Sequence, residues 1–164
     1  MICDHPCENF CVRKDIGGAV SISELERAAI TYGYAVPKKR LKTPGRDKKV
    51  AIIGGGISGI VAAYELNRKG YKITIYEKTD KIGGPIWDYE GELLSREIIE
   101  EELGTLQKSG VDLVLNTNVG EEIFNKILKE YDAIFATEEI GMDMEFDPTT
   151  FQMGESNIFV GGKF

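Results

Sequence analysis

Residues 50–77, VAIIGGGISGIVAAYELNRKGYKITIYE, constrain the fold more than any other stretch of this chain. The apolar run Val50-Ala51-Ile52-Ile53 predicts a buried strand. Gly54-x-Gly56-x-x-Gly59 follows without a spacer, Ile57 to Lys69 reads as a helix, and Gly70 stops it. Tyr71 to Tyr76 predicts a second strand, which Glu77 ends. Strand, glycine turn, helix, strand and terminal acid together form the pattern of a dinucleotide-binding βαβ unit. Gly54 permits the tight turn and Gly56 lets backbone approach a pyrophosphate. Gly59, with Ala63 one turn on, lets helix and strand pack closely. The free N–H groups at the helix start carry about half a positive charge and attract phosphate. Glu77 is placed to accept hydrogen bonds from ribose hydroxyls.

The rest of the chain continues an α/β pattern with a parallel sheet and helices on its faces. Asp80 to Pro85 predicts a glycine turn around Gly83-Gly84, and Ser95 to Lys108 an acidic amphipathic helix. Val111 to Leu115 predicts a strand and Asn116 to Gly120 a polar turn. Glu121 to Glu130 predicts a helix with Ile123, Phe124, Ile127 and Leu128 inward, and Ala133 to Ala136 a buried strand. Gly141 to Gly154 is irregular, with a short hairpin as one option, and Ile158 to Val160 is a last strand.

The 164 residues are 42% hydrophobic and 29% charged, the composition of one globular domain with an appendage. No apolar run approaches the roughly 20 residues of a membrane span, and the polar start predicts no signal peptide. A net charge of −7 argues against nucleic acid as the main partner. The basic run from Lys38 to Lys49 reads as a solvated linker, with a nuclear-localisation or anion-binding patch as the alternative, and divides the chain into residues 1–36, 37–49 and 50–164.

All three cysteines, Cys3, Cys7 and Cys11, lie in the first eleven residues. An odd, clustered set suggests a metal or cluster site in a reducing cytoplasm rather than a disulfide framework. Pro6 fits the first turn of a helix, which would put Cys7 and Cys11 one turn apart on one face. Ser21-x-x-Glu24 predicts a capping box that opens a second helix, with Leu25, Ala28, Ala29 and Tyr32 as its apolar stripe. Three thiolates do not complete a structural zinc site, and His5 is crowded between Cys3 and Cys7. An iron–sulfur cluster is therefore the better reading and zinc the alternative.

The motifs Cys3-Asp-His-Pro-Cys7-Glu-Asn-Phe-Cys11, Ala19-Val-Ser-Ile-Ser-Glu-Leu-Glu-Arg27 and Lys48-Lys-Val-Ala-Ile-Ile-Gly-Gly-Gly-Ile-Ser-Gly59 closely resemble one family. It is that of the small (beta) subunit of NADPH-dependent glutamate synthase, to which the amino-terminal half of dihydropyrimidine dehydrogenase is similar. The resemblance continues through Lys81-Ile-Gly-Gly84, Asn116-Thr-Asn-Val-Gly120, Tyr131 to Thr137, Asp147 to Gln152 and Asn157 to Gly162. It implies two 4Fe–4S clusters in a helical segment ahead of an FAD domain. Cys3 and Cys7 would ligate one cluster and Cys11 its neighbour, with Glu26 at the position of an unusual carboxamide or carboxylate ligand. The FAD pyrophosphate would lie over Gly54, Gly55, Gly56, Ile57, Ser58 and Gly59, and its ribose on Glu77, beside Lys78. Gly83 and Gly84 would approach the isoalloxazine, the Val119 backbone the adenine, and Thr137 and Gly162 would complete the set.

Three departures shape what the resemblance implies. The family's upstream cysteines have no counterpart, so either another subunit supplies the ligands that close each cluster or the clusters are lost. The family's NADPH domain, expected after Thr137, is replaced by the short passage Glu138 to Glu145. Lys163 stands where the family has an aspartate near the flavin phosphates, Glu138 replaces a small residue, and the family's following helix has no counterpart. The implied function is an FAD-binding electron-transfer subunit of a cytoplasmic iron–sulfur oxidoreductase complex. Its partner, an iron–sulfur or catalytic subunit, would bind at the amino-terminal arm. A non-catalytic docking subunit and an NAD(H)-binding domain are the alternatives.

Overall fold

The computed structural model describes residues 4–33, 44–91, 94–137 and 145–162. Five strands form one parallel sheet: β1 (Lys49–Ile53), β2 (Lys72–Tyr76), β3 (Asp112–Val114), β4 (Ala133–Ala136) and β5 (Ile158–Val160). Their order across the sheet is β3-β2-β1-β4-β5. The chain reverses its direction of travel across the sheet between β1 and β4, and ligands of such sheets bind beyond the carboxyl ends of the strands at this point. The register puts Ile53 of β1 beside Tyr76 of β2 on one side and Ala136 of β4 on the other.

The central strand is apolar throughout because it is covered on both faces. Ala51 and Ile53 join Phe124, Ile127, Ile134 and Val160 in one core cluster, while Val50 and Ile52 join Ala63, Ile73, Ile75 and Leu106 in the other. Ile52, Ile53, Ile73 and Ile75 are each at most 1% exposed. The crossover helix α3 (Ile57–Arg68) closes with Gly70 at φ 90°, where the chain turns into β2. Helices α4 (Arg96–Lys108) and α5 (Glu121–Glu130) complete the layers. On α5, Phe124 and Ile127 are buried, but Leu128, expected inward, is 42% exposed. A helix ten residues long buries a stripe narrower than the apolar pattern suggests.

The predicted linker lies in part outside the described residues, and β1 begins at Lys49 rather than Val50. The charges ahead of it are paired: Lys48 with Asp132 at 2.6 Å, Lys49 with Glu130 at 3.6 Å and Asp47 with Lys72 at 2.8 Å. Of the predicted irregular segment, residues 145–154 are described. Gln152 forms an isolated antiparallel bridge to Phe159 of β5, so this part of the segment pairs with the last strand, and no strand pair within residues 145–154 is seen among the described residues.

The amino-terminal arm departs most from expectation. Helix α1 (Pro6–Asn9) is a single turn, and Cys11 stands beyond it in extended backbone, followed by a 3-10 turn over Val12–Ile16. Cys7 and Cys11 therefore do not share a helix face. Helix α2 (Ile22–Gly33) forms as expected but buries none of its residues. Leu25 and Tyr32 of its apolar stripe are 61% and 83% exposed. Its amino terminus is capped by Glu8, whose Oε1 accepts from both the Ser23 N–H and the Ser23 hydroxyl at 2.9 Å. A side chain fifteen residues away takes the place of the predicted Ser21 capping box.

Candidate functional site

The glycine loop sits at the carboxyl end of β1, and steric fit dictates its composition. A Cβ on Gly59 would stand 2.1 Å from the Gly54 carbonyl oxygen, so only glycine lets α3 come this close to the strand. A Cβ on Gly55 would meet Ile82 Cγ2 at 2.7 Å and Glu77 Oε2 at 3.0 Å. Gly56 differs, because a Cβ there meets nothing within 4 Å and so points into open space. Among the described residues, the N–H groups of Gly56, Ile57 and Ser58 have no hydrogen-bond partner. Three backbone donors at the positive end of a twelve-residue helix thus face an open volume, the arrangement that binds anions.

Glu77 is the one buried charged residue of the described core, at 7% exposure. Its Oε2 accepts the Gly55 N–H at 2.7 Å, and its Oε1 accepts the Thr79 N–H at 2.9 Å and the Thr79 hydroxyl at 2.8 Å. The carboxylate therefore ties the glycine loop to the end of β2. With roughly four acceptor positions, it keeps capacity for a further donor. Lys78 beside it is exposed and engaged in an interaction of its own.

The other predicted segments converge on the same end of the sheet. The Gly83 N–H donates to the Gly55 carbonyl at 2.8 Å, and a Cβ on Gly84 would lie 3.5 Å from the Gly56 Cα. The turn before α5 is tied to the acid: Thr117 N–H donates to the Glu77 carbonyl and Asn116 N–H to the Thr79 carbonyl, both at 2.8 Å. Val119 in that turn is buried in the core, which leaves its backbone rather than its side chain for any contact. Thr137 follows the end of β4 beside β1, with its hydroxyl 3.0 Å from the Ile53 carbonyl. Gly162 presses on Thr137, since a Cβ there would stand 2.7 Å from the Thr137 carbonyl oxygen.

The cysteine arm is not brought together in this way. Cys3 lies outside the described residues, Cys7 is exposed and Cys11 half-buried, and both described thiols are free. Glu26 is exposed on α2. Among the described residues, no three His, Cys, Asp or Glu side chains are grouped to hold a metal ion, so these residues alone do not constitute a cluster site. The Cys11 thiol is nonetheless shifted by its neighbours. The backbone N–H groups of Val20 and Arg13, and to a smaller degree Lys14, hold its thiol below the ordinary 9.0, against desolvation and the negative charge of Glu8.

Sequence reasoning missed Thr79, Ile82 and Glu8. Thr79 follows the acid by two residues, which is the one local signal for a hydroxyl that bonds it. Ile82 and Glu8 act across longer separations and leave no periodic trace.

The strand order, the glycine loop and the buried acid at the end of β2 define the class: a Rossmann-like α/β domain preceded by helical elements. Residues 52–94 match the model of the NAD(P)-binding Rossmann-like domain family. Over most of its length the chain is homologous to the glutamate synthase (NADPH) small chain of Bacillus subtilis. The two are 35% identical over 142 residues, covering 81% of this chain and 28% of that protein. It is 33% identical over 147 residues to the NADPH-Fe(3+) oxidoreductase subunit beta of Geobacter sulfurreducens, covering 82% and 21%. It is 30% identical over 159 residues to the NADP(+)-dependent formate dehydrogenase subunit beta of Moorella thermoacetica, covering 82% and 22%. The chain thus spans between about a fifth and under a third of the length of these relatives.

Proposed function

We propose that this chain is the FAD-binding part of a multi-subunit iron–sulfur oxidoreductase in the cytoplasm. The observation that carries the reading is the pairing of two features: the open, unpartnered amides of Gly56, Ile57 and Ser58, and the buried Glu77 carboxylate held against Gly55 at 2.7 Å. The first suits a pyrophosphate and the second a ribose, and their spacing along the βαβ unit is that of a dinucleotide. The Gly83-Gly84 turn against the loop favours a flavin beyond the pyrophosphate. Bound there, FAD supplies exchange between two-electron and one-electron carriers. The protein's own contribution is to bind, orient and screen: backbone donors hold the phosphates, Glu77 orients the ribose, and the Val119 backbone bounds the site.

On this reading the organisation is an arm over residues 1–36, a basic connector over 37–49 and a minimal FAD domain over 50–164. Cys3, Cys7 and Cys11, with Glu26, contribute ligands to 4Fe–4S clusters that another chain completes. The names of the relatives, a small chain and two beta subunits, support a partner. So does the arm itself, where Phe10, Val12, Ile16 and Tyr32 are each at least 80% exposed. That partner is an iron–sulfur or catalytic oxidoreductase subunit, with neither nucleic acid nor membrane involved. No described helix is long and apolar enough to cross a membrane.

The competing reading is NAD(H) at the same βαβ unit, favoured by the description of the family matched over residues 52–94. Purification of the chain with its native partners, followed by a visible spectrum and cofactor extraction, separates the two. A stoichiometric flavin supports the FAD reading. A flavin-free complex that retains pyridine nucleotide supports the other, and a complex with neither cofactor leaves a docking subunit.

A further inference from the structure

We propose that Thr137 is the positioning residue of the glycine loop and not a contact to the bound cofactor. The inference rests on the dinucleotide reading of the loop for its functional meaning, but its geometry stands apart from which cofactor binds.

The Thr137 N–H donates to the Ile53 carbonyl at 2.9 Å. Its hydroxyl donates to that same oxygen at 3.0 Å and faces the Gly54 carbonyl at 3.3 Å. A hydroxyl has one proton, and here it is shared between two carbonyls, leaving none to donate to a phosphate. The Gly54 carbonyl is also closely packed by Gly59, where an added Cβ would stand 2.1 Å from its oxygen. That carbonyl and the Gly55 N–H belong to one rigid peptide plane. Fixing the carbonyl therefore fixes the direction of the N–H, which reaches Glu77 Oε2 at 2.7 Å. The orientation of that peptide is carried directly into Gly56, where the unpartnered amides begin. From the far side, Gly161 N–H donates to the Ala136 carbonyl at 2.9 Å, and Gly162 leaves no room for a Cβ against Thr137. The turn after β5, the end of β4 and the glycine loop thus form one stack with Thr137 in its middle.

Hydrogen exchange measured by NMR on the cofactor-free full chain tests the geometry, and FAD titration tests its consequence. In Thr137→Val the Gly55 amide should exchange roughly tenfold faster, about what one lost hydrogen bond allows, while the Ile75 amide in β2 keeps its protection. FAD affinity should fall by a similar factor, and Thr137→Ser should restore both to within about twofold. Unchanged Gly55 protection in a folded Thr137→Val protein would overturn the proposal. So would a Thr137→Ser protein as impaired as the valine variant. If the valine variant does not fold, the unaltered chain gives the answer: a slowly exchanging Thr137 hydroxyl proton is expected, and a freely exchanging one contradicts the clasp. If the unaltered chain binds no FAD, the cofactor reading falls, while the Gly55 exchange still decides the role of Thr137.

Discussion

The Glu77 carboxylate accepts the Gly55 N–H at 2.7 Å across 22 residues of chain, and this bond joins the two halves of the nucleotide-binding pattern before any ligand arrives. The acid at the end of β2 is thus part of the glycine loop's own architecture. Glu77→Gln should expose this. A carboxamide presents one acceptor oxygen where Gly55 on one side and Thr79 on the other need two, so one buried donor loses its partner. The expected cost is about 2 kcal/mol in urea unfolding, in spite of the unchanged shape. A neutral effect would mean that the bond contributes nothing to the fold.

Gly59 and Gly56 should part company when each becomes alanine. The Gly59→Ala methyl would collide with backbone at 2.1 Å, which no side-chain rotation relieves, and about 3 kcal/mol or more of stability should be lost. The Gly56→Ala methyl enters open space and should cost less than about 1 kcal/mol. Thermal unfolding of the two variants side by side checks the contrast.

The arm should loosen in acid. Backbone and side-chain hydrogen bonds from Ser23 hold the Glu8 carboxyl below its ordinary 4.5. A depressed folded value means the clasp's contribution is complete above the unfolded value and disappears as pH falls through the folded one. The Ser23 amide resonance should therefore titrate with a midpoint below 4.5, with loss of α2 protection in the same range. Glu8→Ala should remove that titration and leave α2 poorly protected at every pH.

Much of the domain was legible because its physics is local. A strand buried on both faces must be apolar at consecutive positions, as Val50 to Ile53 are, and Gly70 marks the end of α3 by its φ of 90°. The arm was less legible because its order is tertiary. Cys7 and Cys11 have the same spacing whether or not a helix joins them. The shift of the Cys11 thiol owes most to the Val20 backbone, nine residues on, which spacing cannot reveal. The stripe of α2 is amphipathic in sequence, yet amphipathicity does not say whether this chain covers it. Likewise, Thr137 belonged to the candidate site by resemblance, but only the carbonyls of Ile53 and Gly54 disclose what its hydroxyl does.

The Cys11 thiol should ionise more readily than an ordinary cysteine. With backbone N–H groups directed at its sulfur, the pH midpoint for its alkylation in the metal-free chain should lie below 9.0. Mass spectrometry of iodoacetamide-treated protein across a pH series resolves Cys11 from Cys7. A midpoint at or above 9.0 for Cys11 would mean that its neighbours do not favour the ionised thiol.

Calorimetric titration of the full chain with FAD and, separately, with NADH, repeated on Gly56→Val, tests directly whether this glycine loop holds FAD. Branched side-chain carbons at Gly56 would fill the space left for a pyrophosphate without touching the fold, since even a Cβ there meets nothing within 4 Å. One FAD should bind per chain, in preference to NADH. Gly56→Val should lose at least tenfold in FAD affinity, with the circular dichroism spectrum unchanged. Preferential NADH binding, or FAD binding that Gly56→Val leaves intact, would contradict this reading of the loop.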